Sequence, residues 1–321
     1  MLFLKKRRLK KSVKIALIII VVVIIAIIAI VIGVKKHKEH EAYLASYEYK
    51  LGELGYKEES LEYLLKQEDK IKDIVLTKEY NEQIIDFMKQ KYFILENLDK
   101  YLEYYKKNST KELSRVVSIV NVKAMYDYYD NTTQTKIDDG ILMLVNKYTH
   151  LPKDYNPTDI VEVKNWYCYG ENKLREEAYQ KFIEMFNAAK ESDNKIILSS
   201  GYRSYEDQKE TYDEYVDRYG QKKADTLAAR PSFSEHETGL ALDITTGKAT
   251  QETFETTNAF KWLQENAYKY GFILRYPKGK EDITGYAYES WHYRYVGVEV
   301  AKKIKELDIT FDEYYAYFIA N

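Results

Sequence analysis

A continuous hydrophobic run near the amino terminus is the clearest pattern in the chain. Residues 15–34 are Ile, Val, Leu and Ala, interrupted only by Gly33. A helix of about 20 such residues is long enough to cross the hydrocarbon core of a bilayer. A buried core helix would show a polar face at helical spacing, and a secretory signal would be shorter and end in a small-residue cleavage site. Neither feature is present, so the pattern predicts a transmembrane anchor over residues 15–34.

Basic residues flank this run unequally. Residues 1–14 carry a dense cluster of Lys and Arg, and a smaller cluster, Lys35, Lys36 and Lys38, follows the run. Positive residues are retained preferentially on the cytoplasmic side of a membrane. The distribution therefore predicts a single-pass protein of the cell membrane, with a cytoplasmic basic tail over residues 1–14 and everything after the anchor outside the cytoplasm.

Residues 35–130 have a charged surface and apolar side chains at helical spacing, such as Tyr92, Leu95, Leu98, Leu102 and Tyr105. Polar, turn-rich stretches at residues 108–113 and 130–136 bracket the expected end of this region. We expect a helical stalk that holds a downstream domain away from the membrane or binds a protein partner. The sequence does not identify such a partner.

The pattern changes in residues 131–321, where short apolar strands alternate with amphipathic helices. Strands are predicted at residues 195–200, 239–244 and 272–276, and an amphipathic helix at 173–189. Ser204 and Asp207 form a capping-box pattern that starts another helix. These elements predict an α+β domain in which a small antiparallel sheet has flanking helices.

Composition removes some classes of function. The chain has 49 basic and 51 acidic residues, so it has no overall positive field for nucleic acid. It has 1 cysteine, which excludes an internal disulfide. We interpret Cys168 as a small buried apolar residue rather than a nucleophile.

Two short strings carry the candidate chemistry. Residues 234–243 have the sequence SEHETGLALD, and residues 289–292 have the sequence ESWH. The chain has 5 histidines, and those outside the two strings are His37, His40 and His150. Both remaining histidines therefore fall inside the strings, close to acidic residues.

His236, Asp243 and His292 offer two imidazole nitrogens and one carboxylate oxygen. Three protein ligands with an open fourth position are typical of catalytic zinc. Glu289 is then free to act as a general base towards the attacking water. In the predicted strand Asp243 lies on the face opposite the leucines, and Gly239 permits the turn that brings His236 to the same side.

The strings S-x-H-x-x-G-x-A-x-D and E-x-W-H, with SGYRS at residues 200–204, resemble the VanY-like D-alanyl-D-alanine carboxypeptidases. These zinc peptidases of the LAS type trim the stem peptides of bacterial peptidoglycan. The resemblance extends over about residues 142–297. It implies an α+β fold holding a zinc site, and a peptidoglycan stem peptide as the substrate.

The resemblance also implies a role for each matching residue. It makes His236, Asp243 and His292 the zinc ligands and Glu289 the catalytic base. Arg203 would hold the carbonyl oxygen or the substrate carboxylate, with a planar guanidinium suited to either. The residues implied to contact the terminal residues of the stem peptide are Gln208 and Ser234.

Several alternatives stay open at this point. The bond cleaved could be L,D rather than the favoured D,D, or the enzyme could be an endopeptidase. The domain could also be a peptidoglycan-binding module without turnover, although no ligand or base is missing. A serine mechanism would need Ser200, Ser204 or Ser234 beside a histidine base, and both suitable histidines are better used as ligands.

Overall fold

The computed structural model describes residues 10–320, with only the backbone described at Glu252. Most of the predicted basic tail therefore lies outside the described residues. The chain divides into two compact units, one ending at Lys89 and the other beginning at Gln90. The second unit contains both strings that carry the candidate chemistry.

A long apolar helix dominates the first unit. Helix α1 covers Lys11–Ala45, is exposed along its length, and is long and apolar enough to cross a membrane. The helix extends beyond the predicted span of residues 15–34 at both ends and includes charged residues on either side of it. Four short helices follow it: α2 (Tyr47–Leu54), α3 (Glu58–Leu65), α4 (Asp69–Leu76) and α5 (Gln83–Met88).

The second unit is a mixture of helices and short strands. Its helices are α6 (Leu98–Lys107), α7 (Leu113–Asn121), α8 (Glu176–Glu191), α9 (Tyr205–Tyr219), α10 (Gln221–Leu227), α11 (Asn258–Asn266), α12 (Glu281–Thr284), α13 (Val298–Leu307) and α14 (Phe311–Phe318). Its strands are β1 (Thr133–Gln134), β2 (Thr149–His150), β3 (Ile160–Glu162), β4 (Lys173–Arg175), β5 (Ile197–Ser200), β6 (Ala241–Thr245), β7 (Phe272–Leu274) and β8 (His292–Tyr295).

A four-stranded antiparallel sheet forms the centre of this unit. The strand order is β5-β6-β8-β7, and every neighbouring pair is antiparallel. Leu240, Leu242 and Ile244 belong to the hydrophobic core together with apolar residues of α8 and α11. The predicted fold class, a small antiparallel sheet with flanking helices, is confirmed.

Two local predictions can be compared directly with the structure. The capping box at Ser204 and Asp207 is present and starts α9. The helix predicted at residues 173–189 instead begins at Glu176, because Lys173–Arg175 pair with β3 and bury Leu174. Helix α7 of the second unit packs against α12 and α14. The predicted stalk over residues 35–130 stays a prediction, and its last helices lie in the second compact unit.

Candidate metal and substrate site

The sheet places the three predicted metal ligands side by side. Asp243 of β6 and His292 of β8 are partners in the antiparallel register. His236 comes from a short 3₁₀ helix, Glu235–Thr238, which ends at Gly239 in the left-handed conformation with φ 69°. One ligand atom from each of the three residues lies within 4.8 Å of the others, and all three residues are buried. The turn predicted at Gly239 is confirmed.

The donor atoms have the chemistry that a metal ion needs. His236 Nδ1 lies 2.7 Å from the carbonyl oxygen of Gly201. When Nδ1 donates its proton to that oxygen, the Nε2 lone pair is left free, 3.6 Å from Asp243 Oδ1. His292 Nδ1 lies 3.2 Å from Asp243 Oδ1 as well. Asp243 Oδ1 is buried and has no hydrogen-bond partner among the described residues. The three side chains therefore fit a shared cation.

The protonation states agree with this interpretation. Burial lowers the pKa of His236 and favours the neutral imidazole, the form that binds metals. Burial acts against ionisation of Asp243, but the two histidines more than offset it and hold its pKa below the usual range. Burial also lowers the pKa of His292, but Asp243 and Glu235 raise it more, to about 9. Metal binding would therefore release a proton from His292.

Glu289 lies beside the ligands without joining them. Its Oε2 atom is 3.8 Å from His292 Nδ1, and its side chain is 17% exposed. Burial raises the pKa of Glu289 to about 7. A carboxylate whose pKa lies close to neutral pH can both take and return a proton.

The predicted substrate-binding residues line the same cavity as the ligands and Glu289. Arg203 Nε and Gln208 Oε1 are buried there and have no hydrogen-bond partner among the described residues. The amide of Gln208 is oriented by its Nε2 group, which donates to Ala229 O at 2.7 Å. Ser234 Oγ accepts from the His236 backbone N–H at 3.3 Å, so this hydroxyl also fixes the turn that carries His236. The structure thus brings all the predicted site residues together.

Two residues of the site were missed by the sequence analysis. Glu235 is completely buried, and its Oε2 atom lies 3.5 Å from His292 Nε2. Tyr286 lines the cavity, and its buried hydroxyl has no hydrogen-bond partner among the described residues. The only signal for Glu235 was its position directly before His236, and nothing in the sequence distinguished Tyr286 from the other tyrosines.

Comparison with known proteins agrees with this geometry. The family model described as "VanY: D-alanyl-D-alanine carboxypeptidase" matches residues 171–298. A D-alanyl-D-alanine carboxypeptidase of Enterococcus faecalis is 36% identical over 200 residues, which are 58% of this chain and 71% of the relative. The chain belongs to the VanY family of carboxypeptidases. The family membership predicted from the two strings is confirmed.

Solved structures are also similar to this chain. The LdcB LD-carboxypeptidase is 44% identical with a TM-score of 0.55, and the match covers 59% of this chain and 91% of that chain. A mutant of the vancomycin-resistance D,D-pentapeptidase VanY, solved in complex with Zn(II), is 35% identical with a TM-score of 0.48. That match covers 54% of this chain and 97% of the pentapeptidase. The relatives of this chain thus include one named as a D-alanyl-D-alanine carboxypeptidase and one named as an LD-carboxypeptidase.

Proposed function

We propose that this protein is a membrane-anchored zinc carboxypeptidase that removes the terminal D-alanine from peptidoglycan stem peptides. The observation that carries the proposal is the buried cluster of His236, Asp243 and His292, with ligand atoms within 4.8 Å of one another. Two imidazoles and one carboxylate with an open position form a known catalytic zinc set. The family membership supplies the reaction class.

Zinc, when bound, supplies a Lewis acid that polarises the scissile carbonyl and lowers the pKa of the attacking water. Glu289 takes the proton from that water and returns it to the leaving amine. Its burial makes it basic enough to accept a proton near neutral pH. No side chain has to form a covalent intermediate, so Ser234, which lines the cavity, is not needed as a nucleophile.

Arg203 and Gln208 hold the substrate in this proposal. Burial lowers the pKa of Arg203, while Asp243 and Glu289 act in the opposite direction. The guanidinium stays charged and can bind the terminal carboxylate or the developing oxyanion. Gln208 Oε1 can accept from a backbone N–H of the stem peptide, and Ser234 completes this side of the cavity.

D,D-cleavage is the favoured reaction because it is the activity for which the matching family model is named. L,D-carboxypeptidase action on tetrapeptide stems is the second candidate, since the 44% identical relative is named for it. A binding module without turnover is less well supported, because the ligands and Glu289 are all present and close together.

Helix α1 supports attachment to the lipid bilayer. Its apolar length fits one crossing, and the unequal basic flanks favour a cytoplasmic amino terminus. The carboxypeptidase unit would then face the cell wall, where its substrate is found. The predicted stalk would determine how far from the membrane this unit acts.

The test uses the full chain in detergent, loaded with zinc and given pentapeptide and tetrapeptide stems. Released D-alanine is measured by mass spectrometry for the wild type, for Glu289→Gln, and for the exposed control Glu191→Gln. We expect release from the pentapeptide, loss of release in Glu289→Gln, and no change in the control. Release from the tetrapeptide alone would establish L,D-cleavage. Stoichiometric zinc binding without release from either stem would refute the carboxypeptidase function.

A further inference from the structure

A buried charged cluster lies behind the metal ligand His292. Glu235 Oε1 accepts from Arg275 Nε at 2.8 Å and from Arg294 Nη1 at 2.9 Å. Arg275 is in turn held by Asp312, with Nη1 and Nη2 donating at 2.5 and 3.1 Å. All four side chains are fully or almost fully buried. The cluster therefore buries four charged side chains, and of these four only Glu235 extends to the proposed metal site.

The two arginines determine which atom of Glu235 is left for His292. Both guanidinium groups donate to Oε1, and Oε2 is turned towards His292 Nε2 at 3.5 Å. Oε2 and Nε2 are both buried, and neither atom has a hydrogen-bond partner among the described residues. Two guanidinium groups beside Oε1 favour the carboxylate form of Glu235 and hold it in one orientation.

We propose that Glu235 is a positioning residue, which keeps the proton of His292 on Nε2 so that Nδ1 is free to bind the metal. The inference rests on the proposed zinc site. Ligating histidines commonly give their second N–H to a carboxylate, which fixes the tautomer and strengthens the ligand. Here the carboxylate comes from the residue next to another ligand, His236, so one short turn supplies a ligand and the support for a second.

Glu235→Gln tests the proposal with little change in size. Arg275 and Arg294 need an acceptor, so the amide oxygen takes the position of Oε1 and the NH₂ group faces His292 Nε2. Two donors would then meet unless the imidazole proton moves to Nδ1, the nitrogen that faces the metal. Loss of such a supporting carboxylate typically weakens metal binding by about 10- to 100-fold. We expect a loss of zinc affinity in that range.

The measurement is zinc affinity of the full chain in detergent, by competition with a chromophoric chelator and without substrate. A control for general destabilisation is Leu263→Ala, which removes apolar atoms from the buried face of α11 and alters no polar group. It should lower stability and leave zinc affinity within about twofold. Equal losses of affinity in both variants would overturn the proposal, because general loosening would then explain the effect.

A second measurement needs no variant. Long-range ¹H–¹⁵N spectra of the zinc-loaded wild type, with labelled histidine, report which nitrogen of His292 carries the proton. The expected result is a proton on Nε2 and metal on Nδ1. The opposite assignment would refute the role of Glu235 even if Glu235→Gln does not fold. Neither measurement uses cleavage, so failure of the proposed activity and failure of this inference are distinguishable.

Discussion

Replacing Glu289 by Gln should stabilise the metal-free protein at alkaline pH while abolishing its activity. Burial raises the pKa of Glu289 from 4.5 to about 7. The neutral carboxyl is therefore the form that the fold accommodates, and Gln is its nearest neutral analogue. Ionisation above pH 7 places an anion in a site beside Asp243, with the metal absent. Glu289, the proposed general base, should thus reduce the stability of the metal-free protein.

The magnitude follows from the difference between the two pKa values. Below pH 4.5 the folded and unfolded chains both hold the proton, and the favourable contribution of the buried neutral group is complete. As the pH rises the unfolded chain ionises first, so this contribution is lost up to the folded pKa of about 7. A difference of about 2.5 pKa units at 1.36 kcal/mol each corresponds to about 3 kcal/mol. Gln does not titrate and avoids the loss.

Urea unfolding of metal-free full-length chain in detergent, at pH 4.5 and pH 8, measures this effect. The tryptophans Trp166, Trp262 and Trp291 all lie in the carboxypeptidase unit, so their fluorescence reports on that unit. The stability of Glu289→Gln relative to wild type should increase by about 3 kcal/mol between the two pH values. Glu191→Gln, on the surface of α8, should show no such change. A difference independent of pH would refute the reasoning, and bound zinc should reduce it, because a nearby cation favours the carboxylate.

Four further results are expected. Chelation should abolish cleavage and lower the Tm of the full chain, and zinc should restore both, since a ligand that binds only the folded state stabilises it; an unchanged Tm would contradict a bound metal. Arg203→Lys should lower kcat/KM by about 100-fold, because lysine lacks the planar fork, and a loss below threefold would argue against its role. Leu242→Ala should cost about 2–5 kcal/mol in urea unfolding, because Leu242 is 0% exposed in the core. Tyr286→Phe should lower kcat/KM by about 10-fold without lowering stability, if its hydroxyl serves the substrate; equal kinetics would exclude that.

The cluster of His236, Asp243 and His292 could be predicted from the sequence because its chemistry is local. Each string combines a histidine with a carboxylate at short spacing, and the alternation along β6 separates Asp243 from the leucines. The register between β6 and β8 could not be predicted from local sequence. It depends on which strands become neighbours, and only the folded sheet shows Asp243 opposite His292.

Glu235 was missed because its role depends on partners that are distant in sequence. An isolated acidic residue before a histidine is expected on the surface, since burying an unpaired charge is costly. Arg275, directly after β7, and Arg294, in β8, make that burial possible. Their contribution appears only once the sheet and the turn at His236 are assembled.

Gly239 and Ala241, the small residues of the first string, occupy positions where the surrounding structure leaves little space. At Gly239 the backbone has φ 69°, and a Cβ atom would lie 2.6 Å from Ile160 Cδ1, so a larger residue would strain the turn that carries His236. Ala241 is the register partner of Arg294, as Asp243 is of His292, and these four share one face of the sheet. A bulky residue at Ala241 would compete with the Arg294 side chain for the space through which it reaches Glu235. The Gly and Ala of the string therefore support the ligands indirectly: one allows the turn, and the other leaves room for the arginine that holds Glu235 against His292.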